Sequence, residues 1–220
     1  MKKIAFLIII LLSTANLSCY SDKEKPNNNT AGPEQIKQRN KNAYKKIDSV
    51  KHFVQTGDLI TRTGADFTSE SLRSLNRRSQ EYSHCGIASI ENDTVFVYHS
   101  LGGEWNPDQK IRRDALELFA NPIENRGIGI FRFTLTPKEN RLAAQTAAIL
   151  QQMGIMFDMQ FNLATNNHMY CAEFVSKSYT LATNGKLTFS TSHIAAFEFI
   201  GVDDIFLHPM CKLVGKILYK

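Results

Sequence analysis

Asn167-His168-Met169-Tyr170-Cys171-Ala172-Glu173-Phe174-Val175 is the stretch on which the reading of the whole chain turns. It reads as the opening of a helix. Asn166 or Asn167 supplies an N-cap, and neither Gly nor Pro follows until Gly185. Cys171, Phe174, Val175, Ser178 and Tyr179 recur at intervals of three and four, which is one face of a helix. That spacing puts one cysteine near a helix N-terminus and on the inward face. Partial positive charge at such an end favours thiolate over thiol. A nucleophilic sulfur needs a base, and the best candidate lies far upstream, in Tyr82-Ser83-His84-Cys85-Gly86-Ile87.

His84 reads as a strand residue with Gly86 and Ala88 on its own face, small neighbours expected to leave room for a partner above the sheet. If Asn92-Asp93 is a two-residue hairpin loop, Gly86 stands opposite His99. His84 and His99 then share a face at diagonal spacing. A register slip of one residue would send His99 to the opposite face. In the first register three groups meet: Cys171 as nucleophile, His84 as base and His99 as the group that orients the base. The plainer alternative is that Cys171 is a small buried apolar side chain and His84 a hydrogen-bonded core residue.

The remaining pattern supplies a scaffold. Pro33 opens a helix to about Gln55 with sparse apolar positions, expected to bury one narrow face. Strands are expected at 57–62, 83–90, 94–101 and 128–135, near 187–189, and over 212–219. Helices are expected at about 69–78, 114–119, 137–153 and 202–207, besides the one that carries Cys171. Residues 102–126 read as loop apart from the short helix. Strands that neighbour one another in sequence, with helices interleaved, make an α+β domain with a mainly antiparallel sheet.

The ends and the charge set limits. Met1-Lys2-Lys3, the uncharged apolar run Ile4–Leu12 and the small polar residues to Cys19 read as a signal peptide, too short to remain as a membrane span. Leu17-Ser18-Cys19 resembles a lipoprotein processing site, with Asn16 where Leu is usual; ordinary cleavage nearby is the alternative. Residues 20–32 read as a polar tether, 33–56 as an N-terminal helix and 57–220 as the domain. The formal charge is +5, but residues 20–56 hold eight Lys/Arg against four Asp/Glu, and residues 57–220 hold sixteen against seventeen. The excess lies in the leader and residues 20–56, ahead of the domain, so nucleic acid is set aside as a partner. A basic segment beside an anionic membrane accounts for it.

Five blocks in order resemble the circularly permuted branch of the NlpC-type papain-like cysteine hydrolases, the YiiX/YebB-like group. They are Gly57-Asp58-Leu59-Ile60, Ser83-His84-Cys85-Gly86-Ile87, Phe131-Arg132, Gly154 to Phe161, and Tyr170-Cys171-Ala172-Glu173-Phe174. The histidine precedes the cysteine, as the permutation implies. The resemblance implies a permuted papain-like fold, with Cys171 as nucleophile and His84 as base. It places the third polar residue at His99. Phe157, Ala172 and Phe174 depart from the group's Tyr, Ser and Leu without removing a reacting group. Tyr82 and Tyr170 are candidates to bring a hydroxyl to the oxyanion or cleft, with rim packing as the alternative, and Glu173 reads as a structural acceptor.

The leader and Leu17-Ser18-Cys19, taken with the resemblance, lead to the expectation of an exported, membrane-tethered hydrolase of the bacterial cell envelope, monomeric and anchored through Cys19. Its substrate is a cell-wall peptide amide or, in the second reading, a lipid acyl group cleaved or transferred. A non-catalytic binding module of the same fold is the third. Trp105, in the 102–126 loop, is expected at the cleft rim. Cys85 and Cys211 are open to a disulfide or to free thiols. His52, His168, His193 and His208 form no metal-ligand spacing with the cysteines, and no phosphate loop or dinucleotide fingerprint is present, so neither metal nor cofactor is expected.

Overall fold

The computed structural model describes residues 31–103, 106 and 108–219. The leader, Cys19, most of the tether and Trp105 lie outside them. The body from Pro33 onward is built on a six-stranded sheet in the order β4-β3-β2-β1-β5-β8, every neighbouring pair antiparallel. The strands are β1 (Leu59–Gly64), β2 (His84–Glu91), β3 (Thr94–His99), β4 (Arg112–Ala115), β5 (Asn125–Phe133) and β8 (Cys211–Leu218). A separate hairpin pairs β6 (Ser192–Ile194) with β7 (Phe197–Phe199). The helices are α1 (Pro33–Lys51), α2 (Phe67–Leu75), α3 (Leu116–Phe119), α4 (Pro137–Gln152), α5 (Cys171–Ala182) and α6 (Val202–Phe206). This is the α+β, mainly antiparallel class read from the sequence.

Both faces of the sheet are covered, which is why its central strands read as nearly continuous apolar runs. Leu59, Cys85, Ile87, Phe131 and Phe133 point to one face, where Ala143, Ala147, Phe174, Val175 and Tyr179 of α4 and α5 pack on them. Their alternates Ile60, Ala88, Val97, Ile128 and Ile130 point to the other, beneath Ala43 and Ile47 of α1 and Leu116 and Phe119 of α3. The helix that carries Cys171 therefore covers one face and α1 the other.

Several of the family-like blocks prove to be joints of this frame. Asp58 is buried and takes a forked bond from Arg132, Nε to Oδ1 at 2.7 Å and Nη2 to Oδ2 at 2.8 Å. The first block is thereby clamped to the third. Gly57 has φ +90° and its carbonyl accepts the Tyr179 hydroxyl at 2.7 Å. A Cβ there would stand 2.3 Å from the Asn140 carbonyl oxygen, so glycine lets the β1 entry pass against α4. Asp158 accepts the backbone N–H groups of Gln160 and Asn162, closing the turn before the nucleophile helix.

The structure corrects three details and closes one alternative that the sequence left open. The expected strand at 187–189 is irregular; Leu187 and Phe189 are core anchors, and the strands lie at β6 and β7, joined through Ala195 at φ +52°. Residues 112–115 form β4 rather than loop and helix start. The N-cap of α5 is Tyr170, not Asn166 or Asn167, because 167–169 are held by bonds to Met156 (Met156 N–H to the Asn167 carbonyl, Met169 N–H to the Met156 carbonyl). Cys85, Cys171 and Cys211 are all free thiols, so the Cys85–Cys211 disulfide does not form.

Candidate active site

The shift of the helix start puts Cys171 at the first helical position. Tyr170 is extended (φ −83°, ψ 172°), and its N–H is received by Glu173 Oε2 at 3.3 Å. Glu173 is fully buried and pairs with Lys177 at 2.8 Å, so it braces the helix entry. The strand just before is pinned as well, since the Ser100 hydroxyl donates to the Met169 carbonyl at 2.6 Å. The end of β3 and the start of α5 are thus tied together across the sheet.

The β2–β3 hairpin decides where the histidines go. Glu91 pairs with Thr94, leaving Asn92 and Asp93 as a two-residue loop with φ +46° and +63°. That primed turn fixes the register. Ile87 lies opposite Tyr98, so Gly86 faces His99 and the two histidines share a face. His84 Nε2 stands 2.9 Å from His99 Nδ1, with the rings edge to face at 5.0 Å. Phe119 of α3 packs against both rings. The small residues beside His84 serve a different purpose from the one expected. Ala88 packs beneath α1 and α3, and a Cβ on Gly86 would meet the Tyr98 carbonyl and Val97 at 2.6 Å and the His99 Cβ at 2.9 Å. Gly86 makes room for β3, and so for His99, rather than for a partner above the sheet.

Beyond His99 the chain of contacts continues onto β4. His99 Nε2 is 3.1 Å from Asp114 Oδ2. Arg112 grips the same carboxylate, Nε to Oδ2 and Nη2 to Oδ1, both at 2.9 Å. Neither Asp114 nor Arg112 was identified from the sequence. Arg112-Arg113-Asp114 has no apolar alternation, and the only signal was the chance that a third strand extends the hairpin.

Cys171 approaches from the face of Cys85. Its sulfur is within hydrogen-bonding range of the Cys85 thiol and backbone N–H and of the His84 ring. The hydrogen bond from Cys85 works against burial, and with His84 it holds Cys171 well below an ordinary thiol. Burial and Cys171 push Cys85 well up, and burial takes Cys211 to about 12. Burial lowers His84 to about 4, with Cys171 opposing. His99 is likewise lowered to about 4 by burial, opposed by Asp114. Asp114 resists its own burial and is held at about 2 by its bonds to His99 and Arg112. The result is a sulfur that gives up its proton readily beside an imidazole that is uncharged until it takes one.

Tyr82 and Tyr170 are packed in the core, and of the two only the Tyr170 hydroxyl has a hydrogen-bond partner there. Tyr82 is buried edge-on against Phe131 and Phe206, with its hydroxyl against Gly129. The Tyr170 hydroxyl accepts the Ile200 N–H at 2.7 Å, and its ring lies on Phe161. An open cleft of about 1000 Å³ lies between α4 and the ends of β2 and β5, lined by Ile90, Arg132, Leu135, Asn140 and Arg141 among others. None of Cys171, His84 and His99 lines it, and the geometry of the reacting groups, not cleft size, marks the candidate site.

A family model described as permuted papain-like amidase enzyme, YaeF/YiiX, C92 family, matches residues 53–197. Among solved structures, the crystal structure of the metalloprotein yiiX from Escherichia coli O157:H7 superposes with a TM-score of 0.61. It is 19% identical and the match covers 74% of this chain and 98% of that one, a likeness of fold. No curated protein sequence matches the chain.

Proposed function

The chain belongs to the permuted papain-like amidases of the YaeF/YiiX, C92 family, and from that premise we propose that Cys171 and His84 are its nucleophile and base, with His99 orienting the base. The observation that carries this reading is the line of hydrogen bonds from His84 through His99 to Asp114, with Cys171 at the first position of α5 held below an ordinary thiol by Cys85 and His84. His84 Nε2 is occupied by His99, which leaves Nδ1 to Cys171.

The Cys171 sulfur attacks the carbonyl carbon of an amide while its proton passes to His84 Nδ1. The Cys171 N–H, free of intrahelical partners at the first helical position, donates to the oxyanion. As the C–N bond breaks, His84 returns the proton to the departing amine. A water molecule, deprotonated by His84, then opens the thioester and restores the thiol. The E. coli neighbour is described as a metalloprotein. Here, among the described residues, no three His, Cys, Asp or Glu side chains form a metal-holding group. Both His99 nitrogens and one of His84 are already engaged, and no step is routed through a metal.

The substrate class that fits best is a cell-wall peptide, met outside the cytoplasm by a protein tethered through Cys19. The basic head, apolar run and Leu17-Ser18-Cys19 support that tether. Mass spectrometry of the native N-terminus tests it: an unmodified terminus beginning at another residue removes the anchor. For the reaction, wild type and Cys171→Ala are incubated with purified cell-wall fragments and, separately, with acyl lipids, and products are weighed. New peptide fragments with wild type alone are the expected outcome. Fatty acids alone would replace the amide substrate with an acyl lipid. No product from either, with Cys171 unreactive towards alkylating reagents, would leave a binding module.

A further inference from the structure

The contacts on Asp114 determine the direction of every proton between it and Cys171. Arg112 brackets the carboxylate with two bonds of 2.9 Å. A carboxylate so held is ionised and can only accept hydrogen bonds. His99 Nε2, at 3.1 Å from Oδ2, must therefore be the donor. A neutral imidazole has one N–H, so His99 Nδ1 carries a lone pair. That lone pair faces His84 Nε2 at 2.9 Å, which must donate in turn. The single N–H of His84 is then used, and its Nδ1 is left as a lone pair.

We infer that Asp114, clamped by Arg112, is a positioning residue that sets the tautomers of both histidines and thereby makes His84 Nδ1 the basic atom of the site. The assignment rests on the proposed Cys171–His84 pair for its use in catalysis, but its proof does not require turnover. The fold supports it at each step. His99 is fully buried and walled by Phe119, so solvent supplies no competing partner. Burial keeps both rings neutral near pH 7. An uncharged amide at position 114 could present N–H groups to His99 Nε2. Both tautomers would then reverse, and His84 would point an N–H at Cys171 where a lone pair is needed.

The test uses the full chain labelled with ¹⁵N-histidine at pH 7, read by long-range ¹H–¹⁵N correlation, with signals assigned through His84→Gln and His99→Gln. Both His84 and His99 are expected as Nε2–H tautomers. Asp114→Asn should reverse or mix the His99 pattern and slow alkylation of Cys171 by iodoacetamide by about a hundredfold, the low end of a general base's contribution. A wild-type His99 carrying its proton on Nδ1 would overturn the inference, as would unchanged tautomers in Asp114→Asn. Should Asp114→Asn fail to fold, the wild-type spectrum alone decides. An unreactive Cys171 in a protein with the expected tautomers would remove the hydrolase reading and leave the assignment standing.

Discussion

Acidification from pH 7 to pH 4.5 should destabilise this domain through its histidines. His84 and His99 sit at about 4 in the fold against an ordinary value of 6.5, each because burial disfavours the cation. Between those values the unfolded chain takes up two protons that the folded chain refuses. Stability therefore rises with pH across the window, is fully present above 6.5, and is lost as pH falls towards 4. Each histidine contributes a slope of about 1.4 kcal/mol per pH unit, so the pair gives up to about 2.7 kcal/mol per unit. From pH 6.5 to 4.5 that is about 5 kcal/mol, a large share of the roughly 5–15 kcal/mol that holds a domain. Glu173, whose carboxyl is raised by burial, offsets part of it at the acid end. Asp114, held at about 2, adds to it only below the window. Urea unfolding at half-unit steps of pH measures the slope directly, and His99→Gln, with one titrating ring removed, should lower it by up to about 1.4 kcal/mol per unit, while His208, also lowered by burial, adds to what remains. Stability that stays flat between pH 7 and 5, or a slope that His99→Gln leaves unchanged, would refute the reasoning.

Two further outcomes follow from the same geometry. At pH 6 a limiting amount of iodoacetamide should label Cys171 before Cys85 or Cys211, because a thiol near 12 is only about one part in a million thiolate there; His84→Ala should move the labelling to higher pH, and peptide mapping that finds Cys211 modified first would count against an activated Cys171. Asp58→Ala should cost about 3 kcal/mol in urea unfolding at pH 7, since it strands Arg132 and the Gln55 N–H; that is the lower end for a broken buried pair because Arg132 is partly exposed, and a loss below about 1 kcal/mol would show the clamp to be dispensable.

Much of this arrangement was legible in the sequence, and for identifiable reasons. Asn92-Asp93 is a turn signal strong enough to set a register, and the register alone puts His99 beside His84. The periodicity of Cys171, Phe174, Val175 and Tyr179 gave the inward face of α5 correctly. Its start was misplaced because Asn167 is held through its backbone by Met156, a tertiary contact that overrides a good local cap. Asp114 was illegible because β4 earns its place by pairing with β3 rather than by apolar alternation. The β6–β7 hairpin turns at Ala195 without the Gly or Asn that would have announced it. Gly86 was seen, but its use was not: the crowding it relieves comes from the neighbouring strand, and only packing reveals that.

The proton path from His84 to Asp114 is drawn from one unbroken run of chain, residues 84–114, folded as a three-strand meander. The proposed nucleophile arrives only at residue 171, and the last strand of the sheet at 211–218. During synthesis the base and its supports can thus pair locally, at low loop-closure cost, before any cysteine of the site has left the ribosome except Cys85. In this order of assembly the reactive sulfur is the late component, added to a finished acid–base frame.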